Sequence, residues 1–270
     1  MADEFFSGLV RSPADREWLM ANGRLMGATR EKQAYAPEFD PRQIIRCENQ
    51  SVRNSCVGHG LSSCGEVCAF IDSGGTMRPQ FSRWGAYIWS QRATGMNGRD
   101  NGAMISGAVK AGTSIGFCDE SVWPYPADNE RYSDRVPTGA AESAEPNQIL
   151  EHVVINGYAD GFEFINQGKG GLLVGADWTA ELANNTGDVT LAEVRGRAMG
   201  GHCFFLWGWM TDGRLWMGNS HSKSWGQQGW RPVRPEVVDY WAQQGEVYGL
   251  SDFKDITDSR PVICDFGEGM

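Results

Sequence analysis

The spacing of apolar side chains changes character about halfway along the chain. In the first half, apolar residues recur at helical intervals, which predicts a short helix or two within residues 12–34 and helices over Cys56 to Asp72, about Ser82 to Arg92 and about Ala103 to Ala111. In the second half, short apolar runs bounded by glycine, such as GGHCFFLWGW at 200–209, are typical of strands. The pattern therefore predicts a helical first half and a sheet-rich second half.

Residues 124–147 separate these two halves. They are rich in Pro, Ser, Asp and Glu and are predicted to form a long surface loop or linker. The division that follows is an N-terminal extension (1–35), a helical lobe (36–123), this loop, and a β-rich lobe (148–270). A chain of 270 residues accommodates two such lobes. The expected fold class is therefore α+β, with a cleft between the lobes as the natural place for a site.

The net charge and the apolar runs argue against two classes of partner. A net charge of −10 and a pI near 4.9, with no basic stripe, are opposite to what nucleic-acid binding requires. The apolar runs are far shorter than the ~20 residues of a spanning helix, and the acidic N-terminus does not have the form of a signal peptide. We expect a protein without nucleic-acid or membrane partners, located in the cytoplasm or in a virion.

The seven cysteines do not follow the spacing of a zinc site or of a disulfide framework. None forms a Cys-x-x-Cys pair, and Cys64 and Cys68 are four residues apart on one predicted helix face, as small buried thiols often are. Cys203 is adjacent to His202 but lacks further spaced ligands. We therefore expect reduced thiols, no structural disulfide, no metal and no cofactor.

One of these cysteines, Cys56, has the surroundings of a nucleophile. It begins a predicted helix after Asn54 and Ser55, which are both good capping residues. The positive end of a helix dipole favours the thiolate, so we expect a lowered pKa for Cys56. A thiol nucleophile also needs a base, a group that orients the base, and donors for the oxyanion. Taken alone, a cysteine such as Cys56 is more often a small core residue than a nucleophile.

The chain has four histidines from which a base for Cys56 can be drawn. His59 lies on the same predicted helix as Cys56, where a partner of the nucleophile is unusual, and His152 lies in an unremarkable segment. His202 begins an apolar strand after two glycines, which allow another chain to approach closely. Asn219 lies on the predicted hairpin partner of that strand. His202 is thus the favoured base, with Asn219 available to orient it.

These motifs resemble those of the papain-like cysteine peptidases. The steps of six residues from Gln50 to Cys56 and from Asn219 to Trp225 are those of the family, and GGHCFFLWGW is similar to its glycine-histidine-apolar strand. The segment GNSHSKSWGQQGW resembles the family's Asn-Ser-Trp-Gly segment, and DNGAMISGAVKAGTSIGFCDESVWPY resembles the end of its helical lobe. The resemblance covers roughly residues 36–235, in the family's order Gln, Cys, His, Asn.

The resemblance implies a papain-like two-lobe fold, with an antiparallel, barrel-like sheet lobe, and hydrolysis of peptide bonds through a thioester. Cys56 would be the nucleophile, and its backbone N–H and the Gln50 amide would form the oxyanion hole. His202 would be the general acid and base. Asn219 would orient His202, and Trp225 would pack near the pair and keep water away. The implied partner is a peptide or protein substrate.

Four small residues are at positions that resemble the walls of the family's second substrate subsite. They are Gly102, Ala103, Gly200 and Gly201. Small walls leave room for a large side chain. We therefore expect a preferred substrate to have a bulky apolar side chain one residue before the cleaved position.

The sequence departs from the family pattern at four points. Val57 stands where an aromatic residue often follows the nucleophile. His221, expected as a surface turn residue, stands where a tryptophan often shields the Asn–His pair. Arg53 stands where extracellular members have a disulfide cysteine, in agreement with reduced thiols. The 35 residues before the resemblance begins are fewer than in the long inhibitory propeptides of lysosomal members, so zymogen processing is not expected.

Two alternatives to a peptidase stay open. One is a structural or interaction protein, such as a phage virion component that assembles into a larger particle and reuses the fold with weak or no activity. The other is a thiol amidase or acyltransferase that uses the same Cys–His pair on a different acyl donor. A protein without catalysis has no physical reason to keep Gln50, Cys56, His202 and Asn219 together, which disfavours the first. The second depends on the shape of the cleft, which the sequence does not give.

Overall fold

The computed structural model describes residues 8–25, 38–76, 80–244 and 246–253. The part of the predicted N-terminal helices beyond Leu25, and Cys264, lie outside these residues. The helices are α1 (Pro13–Asn22), α2 (Cys56–Asp72), α3 (Arg83–Arg92), α4 (Ile105–Ser114), α5 (Ala140–Ala144), α6 (Tyr158–Asn166), α7 (Ala180–Asn184), α8 (Leu191–Val194) and α9 (Pro235–Gln243). The strands are β1 (Arg24–Leu25), β2 (Ile149–Val154), β3 (Gly170–Thr179), β4 (Ala198–Trp209), β5 (Leu215–Gly218), β6 (Trp230–Val233) and β7 (Val247–Phe253).

The helices predicted in the first half are present. α2 begins and ends at the predicted residues. α3 begins one residue later than predicted because Ser82 is its N-cap, and the Ser82 hydroxyl accepts the Gly85 N–H at 2.8 Å. α4 begins later as well, because Ala103 is engaged in a β-bridge with Leu9.

α2 is the central helix and is buried along most of its length. Two of its glycines bring it close to both halves of the chain. A side-chain carbon on Gly58 would lie 2.6 Å from the Arg83 carbonyl oxygen of α3, and one on Gly60 would lie 3.0 Å from Leu173 of β3 and 3.1 Å from the Cys203 sulfur of β4. The start of α2, where Cys56 lies, is therefore held between the helices and the sheet.

The strands form one open sheet in the order β1-β2-β7-β3-β4-β5-β6. All pairs are antiparallel except β1 with β2. The long pair of β3 and β4 places Ala176 opposite His202 and Trp178 opposite Gly200. The expected barrel-like closure is wrong, because β1 and β6 are the two ends of this sheet as described.

The prediction of a loop over 124–147 is wrong in its last third. Residues Ala140–Ala144 form α5, and a 3-10 turn over Glu145–Asn147 follows it. Both end residues of α5 are buried, so this short helix is fixed by packing rather than by propensity. Across the described residues, the structure contains no helix that is both long and apolar enough to cross a lipid bilayer.

Candidate active site

Cys56 is the first residue of α2, and its thiol is fully buried. Burial raises the pKa of Cys56 to about 12, although the backbone N–H groups of Cys203, Val57 and Cys56 itself donate to the sulfur and lower the pKa. The expected lowering is therefore wrong for this conformation, in which the thiol is neutral. The contact with the Cys203 N–H places the sulfur beside the residue that follows His202 in β4.

His202 and Asn219 form a direct hydrogen bond. The distance between His202 Nε2 and Asn219 Oδ1 is 2.7 Å, and both side chains are buried. Because an amide oxygen can only accept, Nε2 carries the proton and Nδ1 is the basic nitrogen. The Ser220 N–H also donates to Asn219 Oδ1 at 2.8 Å, which fixes the orientation of the amide. Burial, and then the proximity of His221, hold the pKa of His202 well below its usual value.

Gln50 is held against the turn that carries Asn219. Its backbone N–H donates to the Ser220 carbonyl oxygen at 2.8 Å, and its Oε1 accepts the Ser220 hydroxyl at 2.7 Å. Its Nε2 donates to the Arg53 carbonyl oxygen at 2.7 Å, three residues before Cys56. The amide group is thus fixed between the Cys56 helix start and the Asn219 turn.

Three aromatic rings cover the His202–Asn219 pair. The ring centroids of Trp178 and His221 lie 4.5 Å and 4.7 Å from that of His202. Trp225 lies in a second layer, 5.8 Å from Trp178 and 6.4 Å from His221. The expectation of a surface position for His221 is wrong, since it is partly buried against His202. Sequence patterns do not predict Trp178, because its direction depends on the register of β3 with β4.

The segment Gly8 to Val10 crosses the site between the two halves of the chain. Leu9 donates its N–H to the Gly201 carbonyl oxygen at 3.2 Å on the sheet side. On the helical side, the Ala103 N–H donates to the Gly8 carbonyl oxygen at 2.7 Å, and the Val10 N–H donates to the Ala103 carbonyl oxygen at 2.9 Å. Leu9 and Ala103 thereby form a parallel bridge. This part of the N-terminal extension therefore lies in the cleft, between Ala103 on one side and Gly201, the neighbour of His202, on the other.

Gly8 brings this segment close to the nucleophile. Its φ is +136°, and a side-chain carbon there would lie 2.0 Å from the Asn54 carbonyl oxygen, two residues before Cys56. A carbon on Gly102 would lie 2.3 Å from the Gly8 carbonyl oxygen. Of the four predicted subsite residues, Gly102, Ala103 and Gly201 thus face the segment, whereas Gly200 pairs with Trp178 in the sheet.

The Leu9 side chain lies in a pocket that contains one carboxyl group. A side-chain carbon on Gly175 would lie 2.6 Å from Ile105 and from Glu246 Oε2, and 2.9 Å from Leu9 Cδ2, so these three side chains converge there. Burial raises the pKa of Glu246 to about 7, and the cation of Arg11, which pairs with Glu246 at 3.2 Å, opposes that rise.

The other thiols in the described part of the chain are buried or partly buried. Cys47, Cys64, Cys68, Cys118 and Cys203 are free cysteines like Cys56. Over the described ranges, no three His, Cys, Asp or Glu side chains converge in a way that could hold a metal ion.

The chain is similar to known proteins in its three-dimensional structure. No family model and no curated protein sequence matches the chain. Among solved structures, xylellain, a cysteine protease from Xylella fastidiosa, superposes with a TM-score of 0.72 at 20% identity, over 92% of this chain and 97% of its own. Procathepsin L2 from the larval midgut of Tenebrio molitor gives 0.70 at 15% identity, over 92% and 78%. Procathepsin B S9 from Trypanosoma congolense gives 0.68 at 14% identity, over 91% and 86%.

The chain has the papain-like fold. The similar structures are papain-like cysteine proteases, and each of the three superposes on more than nine-tenths of this chain. The resemblance inferred from the motifs is therefore confirmed for the fold, and the fold class is α+β as expected. The roles of the individual site residues rest on the contacts described above.

Proposed function

We propose that the protein is a cysteine-type peptidase whose cleft is occupied by its own N-terminal segment in the conformation described. The observation that carries the proposal is the 2.7 Å hydrogen bond from His202 to Asn219, formed beside a cysteine at a helix start. The Gln50 amide is fixed at the same place through Ser220. We infer that this base, its orienting group and the Gln50 oxyanion donor serve the Cys56 thiol.

The chemistry of these groups is acyl transfer to sulfur. Once a peptide replaces the segment, the Cys56 thiol gives its proton to His202 Nδ1 and the sulfur attacks the carbonyl carbon. The oxyanion meets the Cys56 N–H and the Gln50 amide. When the intermediate collapses, His202 returns the proton to the leaving amine and a thioester is left. A water molecule, deprotonated by His202, then hydrolyses the thioester and regenerates the thiol.

The N-terminal segment is expected to compete with substrate. It uses backbone groups of Ala103 and Gly201, which an extended peptide would need on the two sides of the cleft. With the segment in place Cys56 has no exposed surface, and burial raises the pKa of its thiol. Two of the similar structures are procathepsins by name, which supports an inhibitory role for this segment. The small number of residues before the resemblance is therefore no obstacle to such a role.

Leu9 supports the proposed substrate preference. Its side chain is 93% buried by a pocket beside Ala103 and Gly201, so an apolar side chain of this size fits the described space. The substrate residue that occupies the Leu9 pocket is therefore expected to have an apolar side chain about the size of leucine.

A second candidate, a structural protein without activity, is favoured by one observation. Cys56 is inaccessible and its pKa is raised, as for a core thiol. The two proposals differ in what happens when the segment leaves. A peptidase gains a reactive Cys56, whereas a structural protein gains only an exposed thiol.

The substitution Gly8→Ala separates the two candidates in the full-length chain. It places a carbon 2.0 Å from Asn54 O at a φ of +136°, so the segment must leave its place. Gly98→Ala is the matched control, because its φ of +96° is also positive but nothing lies within 4 Å of the added carbon. The measurements are peptide hydrolysis and the rate at which a peptide epoxide alkylates Cys56 at neutral pH.

We expect both rates to rise in Gly8→Ala and to stay unchanged in Gly98→Ala. Cys56→Ala should keep the melting temperature and abolish hydrolysis, because one small residue replaces another. If Gly8→Ala cleaves no peptide and Cys56 reacts no faster than a free thiol, the structural candidate is correct. Products formed with an added amine acceptor would indicate the transferase alternative.

A further inference from the structure

A small cavity lies between α2 and the turn that carries Asn219. Its volume is about 10 Å³, the space that one water molecule requires. The residues of its lining that matter here are His59 and Gly60 of α2, Cys203 of β4, and Asn219 and Ser220 after β5. The cavity therefore lies directly behind the His202–Asn219 pair.

Two polar atoms in this lining lack hydrogen-bond partners among the described residues. They are His59 Nε2 and Asn219 Nδ2. The two residues are 1% and 4% exposed, so bulk water does not reach them. Buried polar groups in folded proteins are nearly always hydrogen-bonded, to protein or to ordered water. Two such atoms that line one water-sized cavity point to a bound molecule.

The two atoms have complementary chemistry. His59 Nδ1 lies 3.0 Å from the Ser55 carbonyl oxygen, which can only accept, so Nδ1 carries the proton and Nε2 is an acceptor. Asn219 Oδ1 accepts from His202 and from the Ser220 N–H, so Asn219 Nδ2 is the donor end of the amide. A water molecule can accept from Asn219 and donate to His59.

His59 keeps this acceptor over the working pH range. Burial and, to a smaller extent, the charge of Arg83 lower the pKa of His59 to about 3, although the carbonyl groups of Ser55 and Asn49 oppose the shift. Other titratable groups lie near the ring. Burial lowers the pKa values of His202 and His221, and it raises the pKa values of Tyr125, which packs against the His59 ring, and of Glu48 in the cavity lining. None of these histidines is charged at neutral pH in the conformation described.

We propose that the cavity binds one water molecule that bridges Asn219 Nδ2 and His59 Nε2, and that His59 is thereby a positioning residue for His202. The bridge holds the second end of the Asn219 amide, whose first end faces His202. The consequence for catalysis rests on the proposed peptidase function. The water site itself does not, because it follows from the cavity and its two polar atoms.

The test uses two substitutions of His59, each of which retains the hydrogen-bonding group of one ring nitrogen and removes that of the other. His59→Asn keeps a donor at the Nδ1 position for the Ser55 carbonyl but removes the acceptor from the cavity. His59→Gln places an amide oxygen near the former Nε2 and keeps an acceptor there. The first readout is the solvent-exchange rate of the His202 Nε2 proton in the full-length chain, measured by NMR, which requires no activity.

We expect exchange in His59→Asn to be about tenfold faster than in the parent, because the orienting amide is no longer held at both ends. His59→Gln should restore most of the protection. In the kinetics, kcat in the asparagine variant should fall by about tenfold with KM unchanged, as for a misplaced base. Equal exchange rates in both variants and the parent, or equal losses in both variants, would overturn the positioning role.

The water itself is tested on the unmodified protein. A high-resolution crystal structure should show one ordered water within hydrogen-bond distance of His59 Nε2 and Asn219 Nδ2. A cavity that has collapsed, or a direct contact between the two side chains, would contradict the proposal even if the variants failed to fold. If the exchange effect is found but no variant or parent hydrolyses a peptide, the water bridge stands and the peptidase function fails.

Discussion

Leu9 donates its backbone N–H to the carbonyl oxygen of Gly201, the residue directly before His202, at 3.2 Å. Leu9 also forms a parallel bridge with Ala103 on the helical side. One residue of the N-terminal extension thus joins the two sides of the cleft. Because the segment belongs to the same chain, it would compete with a substrate of the proposed peptidase at a high effective concentration, so weak contacts would be enough to keep the cleft occupied.

The Leu9 side chain contributes to this occupancy, so Leu9→Ala should open the site. Removal of a buried leucine side chain costs about 2 kcal/mol at the low end of the usual range, which corresponds to roughly thirtyfold in an equilibrium. We expect alkylation of Cys56 to accelerate by up to this factor. Leu150→Ala, at a leucine that is 60% exposed, is the control and should leave the rate unchanged. Equal rates in both variants would show that the backbone contacts alone hold the segment.

The fold is predictable from the sequence where local signals agree with burial. α2 is predicted to the residue, because Asn54 and Ser55 precede it and Ser73 ends it before two glycines. α9 is not predicted, although Pro235 begins it and Trp241 is among its buried residues. The short apolar runs around it favour strands, and only packing of its apolar face against α6 and β3 makes it a helix.

The part of the candidate site that is predictable from the sequence is the part whose residues are marked by motif spacing along the chain. The pairing of His202 with Asn219 is found as expected from the motifs. Trp178, Leu9 and His59 could not be predicted to lie around that pair. Trp178 reaches His202 through strand register, and Leu9 through the path of an N-terminal segment with no periodic pattern. His59 lies next to the cavity because of how α2 packs on β4.

Gln50→Ala should lower the rate of hydrolysis far more than it lowers substrate binding. In the proposed mechanism the amide donates to an oxyanion that exists only in the transition state, and removal of one such donor usually costs ~10²–10³ in kcat. The informative measurement is kcat and KM in the Gly8→Ala background. Ser220→Ala provides the comparison, since it removes only the hydroxyl that holds Gln50 Oε1 at 2.7 Å and should cost less. A loss confined to KM would contradict the oxyanion role.

His221 should set the acidic limit of activity. Burial lowers its pKa from 6.5 to about 4, so it is neutral above that pH. When it becomes protonated, its charge lies 4.7 Å from the His202 ring that must also carry a charge. Two such charges repel by roughly 3 kcal/mol at an effective dielectric constant of ~20. We therefore expect the acid limb of the kcat/KM profile to move to lower pH in His221→Phe.

The same shift of the His221 pKa predicts a change of stability with pH. The folded-state pKa lies below the unfolded-state value of 6.5, so the unfolded chain binds the proton first as the pH falls. The stability contribution of neutral His221 is complete above pH 6.5 and is lost progressively down to about pH 4. Urea denaturation should show a shallower loss of unfolding free energy over this window in His221→Phe. Parallel curves would mean that burial does not shift this histidine.

Glu246 should make the substrate preference depend on pH. The carboxyl group and the Leu9 side chain converge beside Gly175, and burial raises the pKa of Glu246 to about 7. Below that pH it is mainly protonated, and the pocket should accept leucine; above it the carboxylate should favour arginine or lysine at the same position. With Gly8→Ala as the parent, the ratio of kcat/KM for arginine over leucine substrates should rise between pH 6 and 8 by about tenfold, the effect of a roughly 1.4 kcal/mol interaction. In Glu246→Gln this ratio should not change with pH. Asp177→Asn is the matched control, because Asp177 also pairs with Arg11 but its side chain is 60% exposed. A flat ratio in the parent, or an equal loss of pH dependence in both variants, would show that Glu246 does not face the substrate.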